Sequence, residues 1–197
     1  MKIYGTTTSP FVRRVRVVAA EVGEPIDRVE TATDEGQAAL RAISPIRKVP
    51  VAMIDDRLIY DSRAIIDYLT LTRGYGGIEP PRDRWREQNL VNAVDGALEA
   101  IIQLFYLRRD GIAIDGTPFA QRQLDRTDAV FSWLAGQLAP DRRTFSSGFG
   151  LAELSVICTL DWMDFRKAYP TERAQGLAGL RAAWGERTSV VETRPHA

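Results

Sequence analysis

The sequence predicts a mixed α/β domain over residues 1–75 followed by an all-α domain over residues 83–197. In the first part, short runs rich in β-branched and aromatic residues alternate with amphipathic helical runs, whereas after Arg84 only the helical period is left. Between the two lies a turn-forming stretch of linker composition, Gly74-Tyr75-Gly76-Gly77 and then Glu79-Pro80-Pro81.

The elements follow in order. Residues 2–5 alternate around Ile3 and Tyr4 and read as a strand. Pro10 suits the first turn of a helix, where its missing N–H costs nothing, and Val12, Val15, Val18, Ala19 and Val22 recur at helical spacing until Gly23 closes the run. Ile26 to Glu30 reads as a second strand and Gln37 to Ile43 as a short helix ended by Ser44-Pro45. Val49 to Ile54 and Leu58 to Tyr60 read as a hairpin turning at Asp55-Asp56-Arg57. Asp61 or Ser62 caps the next helix, which carries Ala64, Ile65, Ile66, Tyr68 and Leu69. The order is βαβαββα. Beyond the linker, Arg84 to Arg109 is one long helix with Leu90, Val91, Val94, Leu98, Ile101, Ile102 and Phe105 on its apolar face. Further helices run from Thr117-Pro118 to about Leu138, from Leu151 to about Ala168, and from Thr171 to Trp184.

Composition narrows the chemistry. The 197 residues are 45% hydrophobic and carry 26 Lys+Arg against 26 Asp+Glu, for a net charge of zero. No basic excess points to nucleic acid. The clusters Arg13, Arg14, Arg16 and Arg142, Arg143 read as solvated faces. A single cysteine, Cys158, excludes an intrachain disulfide and a multi-Cys metal site, and its place in an apolar helix reads as core. The single histidine is His196, so a His triad or His metal site is not expected. The sequence shows no signal-peptide pattern and no segment long enough to span a membrane, and a cytoplasmic location is the expectation. Catalysis has to come from hydroxyls, carboxylates, backbone groups or the chemistry of a bound molecule.

Three short motifs stand out in the first domain: Thr6-Thr7-Thr8-Ser9-Pro10-Phe11 between a strand and a helix, Lys48-Val49-Pro50 before a strand, and Asp61-Ser62 at a helix start. Ser9 and Asp61-Ser62 each have an ordinary reading as helix caps, and Pro50 as the first residue of a strand. In this order they resemble the glutathione site of the soluble glutathione S-transferase family, in the bacterial-like form with a Ser-Pro-Phe active-site motif. The resemblance covers essentially the whole chain and is strongest over residues 2–70. It implies a thioredoxin-like fold for the first domain.

The resemblance also implies roles. Ser9 donates its hydroxyl to the glutathione sulfur at a helix start that favours an anion, with Thr8 as the reserve candidate and Tyr4 the less suited hydroxyl. Val49 offers its backbone to the cysteinyl part of the peptide beside a cis Pro50, and Lys48 meets the glycyl carboxylate. Ser62 holds the γ-glutamyl carboxylate and Asp61 the γ-glutamyl ammonium. Phe11, Phe105, Tyr106 and Arg109, with Arg108, line the pocket for a hydrophobic electrophile. Gly150-Leu151-Ala152-Glu153 stands where the family has a structural capping box, with Gly in place of the usual Ser or Thr. The chain departs from the family at Arg47, where Gly is common, at Ser44, where Asn is common, and at Asp61, where Glu is more common. The implied function is a glutathione transferase, homodimeric and independent of metal. The alternatives are a non-catalytic binding or regulatory protein on the same fold, or another glutathione-dependent reaction: isomerisation, dehalogenation or ether cleavage. Disulfide exchange would want Cys at position 9.

Overall fold

The computed structural model describes residues 1–196. The chain divides into two compact units, one formed by Met1–Ile78 together with Arg187–Ala197, the other by Glu79–Glu186. The boundary falls inside the predicted linker. Residues 187–196, expected in the helical domain, belong instead to the first unit. The cause is a set of polar contacts with the first helix, described below.

The first unit holds β1 (Lys2–Tyr4), α1 (Pro10–Glu21), β2 (Asp27–Val29), α2 (Asp34–Ile43), β3 (Val51–Ile54), β4 (Arg57–Tyr60) and α3 (Ser62–Arg73). The strands form one sheet in the order β2-β1-β3-β4, parallel between β1 and β2 and antiparallel elsewhere. Its core is Ile3, Val12, Val15, Val18, Val51, Ala52, Ile54, Ile65 and Leu69, all buried. The hairpin turn is the two residues Asp55 and Asp56, both at positive φ (47° and 59°), and Arg57 already lies in β4. That is the twist a two-residue hairpin needs. Helix α2 starts three residues earlier than its apolar pattern indicates, because Thr33 caps it by accepting from the Gly36 N–H.

Arg13 and Arg14 correct the sequence reading. They are 1% and 3% exposed, not solvated. The Arg13 guanidinium donates to the Val190 carbonyl at 3.0 Å and to Thr193 Oγ1 at 3.4 Å. Arg187 donates through Nε and Nη2 to the two oxygens of Glu21, each at 2.6 Å, and Ser189 Oγ also reaches Glu21 Oε1. These contacts hold the short helix α8 (Thr188–Val191) against α1.

The second unit holds α4 (Arg84–Arg109), α5 (Pro118–Gln137), α6 (Leu151–Arg166), a 3-10 helix (Thr171–Leu177) and α7 (Ala178–Trp184). By length and composition α4 is long and apolar enough to cross a membrane, with a mean hydropathy of 1.4 over 18 residues, contrary to the sequence expectation. In this unit its apolar face, Leu90 to Leu104, packs on α5 and α6. The single helix expected over 171–184 is broken in two, with Ala174 at φ −98° and ψ 22°. Close approach explains the glycines there. A Cβ on Gly176 would lie 2.5 Å from Ala135 Cβ, and one on Gly179 2.9 Å from the Arg142 carbonyl oxygen.

Candidate functional site

The sheet register brings the three motifs of the first unit to one end. Tyr4, the last residue of β1, pairs with Val51, the first of β3, and Val51 pairs with Tyr60, the last of β4. The chain leaves Tyr4 into the Ser9 loop, enters Val51 from Val49-Pro50, and leaves Tyr60 into Asp61-Ser62. Segments as far apart as Ser9 and Asp61 therefore meet at one end of the sheet.

Ser9 is the N-cap of α1, with extended backbone (φ −76°, ψ 124°) and Pro10 following at the first helical position. Its Oγ accepts from the Val12 N–H at 3.3 Å, which uses a lone pair and leaves the hydroxyl proton available to donate. The reserve hydroxyl, Thr8, is engaged with Thr6 at 3.2 Å. Gly5 allows this loop to lie against α1, since a Cβ there would meet Val12 Cγ2 at 2.4 Å. Tyr4 stays in the sheet.

The Val49–Pro50 peptide bond is cis, with Val49 half-buried and Pro50 buried. Val49 precedes the first ladder residue, and among the described residues its backbone N–H and C=O take part in no backbone hydrogen bond. These two groups are therefore available to pair with another peptide group at this end of the sheet. Lys48 and Arg47 are exposed, with no ion pair among the described residues, and Arg47 has φ 55°.

Asp61 is the N-cap of α3 with φ 71°, a conformation that costs an L-residue about 1 kcal/mol or more. Its carboxylate accepts from the Arg63 N–H at 2.8 Å. Ser62 is 1% exposed, and its Oγ accepts from Arg14 Nε at 3.0 Å and Nη2 at 2.7 Å. Sequence reasoning did not single out Arg14 beside Ser62, although its spacing of three from Phe11 puts those two on one helix face. The Arg14 guanidinium lies 4.9 Å from the centre of the Phe11 ring, so the phenyl group expected in the electrophile pocket stacks on this cation.

In the second unit, Phe105, Tyr106 and Arg109 do come together. Phe105 contacts Tyr106 (5.5 Å) and the edge of Trp162 (5.6 Å), and the Arg109 guanidinium lies 4.6 Å from the Tyr106 ring centre. Arg166 adds a second cation, 5.5 Å from Phe105 and 5.1 Å from Phe165. Arg108 pairs instead with Asp115 at 2.7 Å. Cys158 is buried within α6. Among the described residues, no cluster of three or more His, Cys, Asp or Glu is placed to hold a metal ion.

A cavity in the second unit lies among Glu79, Arg86, Glu87, Phe145, Gly150 and Glu153. Gly150 has no side chain to cap α6, so only half of the expected capping box forms, with the Gly150 N–H donating to Glu153 Oε2 at 3.0 Å. Glu87 Oε1 accepts from the Leu151 N–H at 3.2 Å, and Glu153 Oε1 also accepts from the Phe145 N–H at 2.6 Å. Burial pushes the Glu153 carboxyl above the ordinary carboxylate range despite these bonds, which pull it down.

Comparison with known proteins bears on both units. Residues 3–76 match the glutathione S-transferase N-terminal domain family, and residues 117–184 match the glutathione S-transferase C-terminal domain family. The chain belongs to the glutathione S-transferase family. The uncharacterized GST-like protein YibF of Escherichia coli (strain K12) is 23% identical over 173 residues, covering 86% of this chain and 85% of that one. A glutathione transferase family member from Pseudomonas fluorescens Pf-5, crystallised with bound glutathione, superposes with a TM-score of 0.84 and 27% identity, over 100% of this chain and 99% of that one. A glutathione S-transferase from Methylobacillus flagellatus KT, with glutathione bound, gives 0.81 and 27%, over 99% of each chain. The glutathione S-transferase fold, a thioredoxin-like unit with a helical one, is thus shared with the two solved structures.

Proposed function

We propose that this chain is a glutathione transferase, which binds glutathione at this end of the sheet in the first unit and directs its sulfur at an electrophilic small molecule. The observation that carries the reading is the convergence of Ser9, Val49-Pro50 and Asp61-Ser62 at that end, each with hydrogen-bonding capacity unspent or poised. When bound, glutathione supplies the thiol nucleophile. Ser9 donates its hydroxyl to the sulfur, and the N-terminus of α1 favours negative charge there. Val49 takes the cysteinyl peptide group on its own N–H and C=O. Lys48 meets the glycyl carboxylate as a mobile point charge, and Asp61 meets the γ-glutamyl ammonium. Lowering a thiol pKa by about two units corresponds to ~2.7 kcal/mol of differential stabilisation. Phe105, Tyr106 and Arg109 supply an aromatic and cationic surface for the electrophile, and Phe11 contributes its stacking on Arg14. The reading extends to a cytoplasmic homodimer acting in detoxification, as the family resemblance implies, and sedimentation of the purified protein tests the dimer.

The test is a titration with glutathione that follows thiolate absorbance in the ultraviolet. Wild type binds and lowers the thiol pKa, whereas Ser9→Ala still binds but returns the pKa toward ~8.5, with turnover at neutral pH falling about tenfold or more. A wild-type protein that binds no glutathione ends the reading. A thiol pKa in Ser9→Ala still as low as in wild type removes Ser9 from the role.

A further inference from the structure

We propose that residues 187–196 form a strap along α1 that holds the Ser9 hydroxyl in place through Thr7, which is thereby a positioning residue. This rests on the glutathione reading and adds to it a segment far from Ser9 in sequence. The strap is anchored at both ends of α1. At the last residue of the helix, Arg187 donates to the two oxygens of Glu21, each at 2.6 Å, and Ser189 Oγ also reaches Glu21. In the first turn, the buried Arg13 guanidinium donates to the Val190 carbonyl at 3.0 Å and to Thr193 Oγ1 at 3.4 Å. Beyond the helix start, the His196 carbonyl accepts from Thr7 Oγ1 at 2.9 Å. A segment that begins beside the end of α1 thus finishes on the loop that carries Ser9.

That last bond falls where the loop holds itself weakly. Thr6 to Ser9 form a turn with Thr7 and Thr8 at its tip, closed by the Ser9 N–H on the Thr6 carbonyl at 3.4 Å. This is longer than the usual N–H···O distance of about 2.7–3.2 Å. The Thr6 and Thr8 hydroxyls meet across the turn at 3.2 Å, and Ser9 Oγ accepts from the Val12 N–H at 3.3 Å. Helix α1 fixes the Ser9 carbonyl firmly, through the Arg13 N–H at 2.9 Å, but the chain entering Ser9 has only the long bonds of the turn. A hydrogen bond to a loose chain end would contribute little, because ordering that end costs entropy. Here the Glu21 and Arg13 anchors have already ordered it. Arg13 joins the two parts directly, with its N–H on Ser9 and its guanidinium on the strap. A donated hydrogen bond weakens steeply as its angle opens, so a turn tip free to move would loosen the Ser9 hydroxyl from the sulfur.

The experiment measures the thiol pKa of bound glutathione by ultraviolet absorbance and its dissociation constant by calorimetry, with a melting curve for each protein. The proteins are wild type, Thr7→Val, Thr7→Ser and Arg187→Ala, and Thr7→Val again in a Ser9→Ala background. Thr7→Val keeps the β-branched shape and removes the donor. It raises the thiol pKa by about 0.5, a loss of about threefold in the ionisation constant, and leaves the dissociation constant within about twofold. Thr7→Ser keeps the donor and matches wild type. Arg187→Ala slackens the strap and moves the pKa the same way by a smaller amount. With Ser9→Ala, Thr7→Val adds no further shift, because the strap acts through the hydroxyl. An unchanged thiol pKa in Thr7→Val overturns the proposal, as does a Thr7→Ser that shifts equally or a shift that persists without the Ser9 hydroxyl. If Arg187→Ala does not fold, the Thr7 variants carry the test. A wild type that binds no glutathione overturns the glutathione reading and this proposal with it. A wild type that binds it, with a pKa that depends on Ser9 but not on Thr7, overturns the strap alone.

Discussion

The starts of α3 and α6 meet the same electrostatic requirement in opposite ways. Each presents backbone N–H groups and the positive end of a helix dipole. At α6, two carboxylates of the chain, Glu153 and Glu87, satisfy the N–H groups of Gly150 and Leu151, with Glu153 buried. At α3 the capping carboxylate is Asp61, which accepts from the Arg63 N–H at the surface, and the buried neighbour of the first helical residue is a cation, with Arg14 donating to the Ser62 hydroxyl oxygen. The contrast is one of depth and sign: a buried carboxylate closes the start of α6, whereas at α3 the capping carboxylate is exposed and the buried charge is a guanidinium.

The largest expected effect falls on the closed end. Glu153→Ala strands the N–H groups of Phe145 and Gly150 and leaves a cavity, costing about 3 kcal/mol in urea unfolding. Glutathione affinity of the folded protein stays within about twofold. A large loss of affinity would break the distinction between the two ends. Next, Arg187→Ala removes the two guanidinium donors on the partly buried Glu21 carboxylate, leaving it Ser189 Oγ, and costs about 2 kcal/mol by the same measurement. Gly150→Ala costs about 1 kcal/mol, because alanine caps poorly and its Cβ would lie 3.0 Å from Glu87 Oε1 and 3.1 Å from Glu153 Oε2.

The smallest effect is a difference in pH response, and it sharpens the comparison. Glu153 has its folded pKa raised, so from about pH 4.5 upward the unfolded chain loses this proton first and stability falls as pH rises toward the folded value. Glu21 is held below its ordinary 4.5 by the Arg187 guanidinium, so its contribution is present above that value and is lost as pH falls. Glu153→Gln therefore flattens the stability profile above pH 4.5, and Glu21→Gln flattens it below. Chemical denaturation across pH 3 to 8 measures both slopes, and like slopes for the two variants would contradict the assigned shifts.

Much of the fold was legible because local pattern and tertiary demand agreed. The long helix ends at Arg84 and Arg109 as its periodicity indicates, and the βαβαββα order holds. The misses have a common origin in contacts between residues far apart in sequence. The break at Ala174 answers to Ala135 and Arg142 through Gly176 and Gly179. The burial of Arg13 depends on Val190 and Thr193, about 180 residues away, which no helical pattern encodes. The site shows the same division. Ser9, Val49-Pro50 and Asp61-Ser62 were readable because backbone turns and caps leave local signatures. Arg14 was not: its spacing from Phe11 marks a shared helix face, but nothing local signals the serine 48 residues on that accepts from its Nε and Nη2.

The attachment of residues 187–196 to α1 also bears on how the protein is made. The first unit is not a contiguous stretch of chain, and it cannot close until more than a hundred intervening residues have been synthesised. A fragment ending at Ile78 would bury Arg13 without the Val190 carbonyl and leave Glu21 without Arg187. The helical unit can therefore complete its folding on the ribosome first, while the half that carries Ser9 waits for its last partners to emerge.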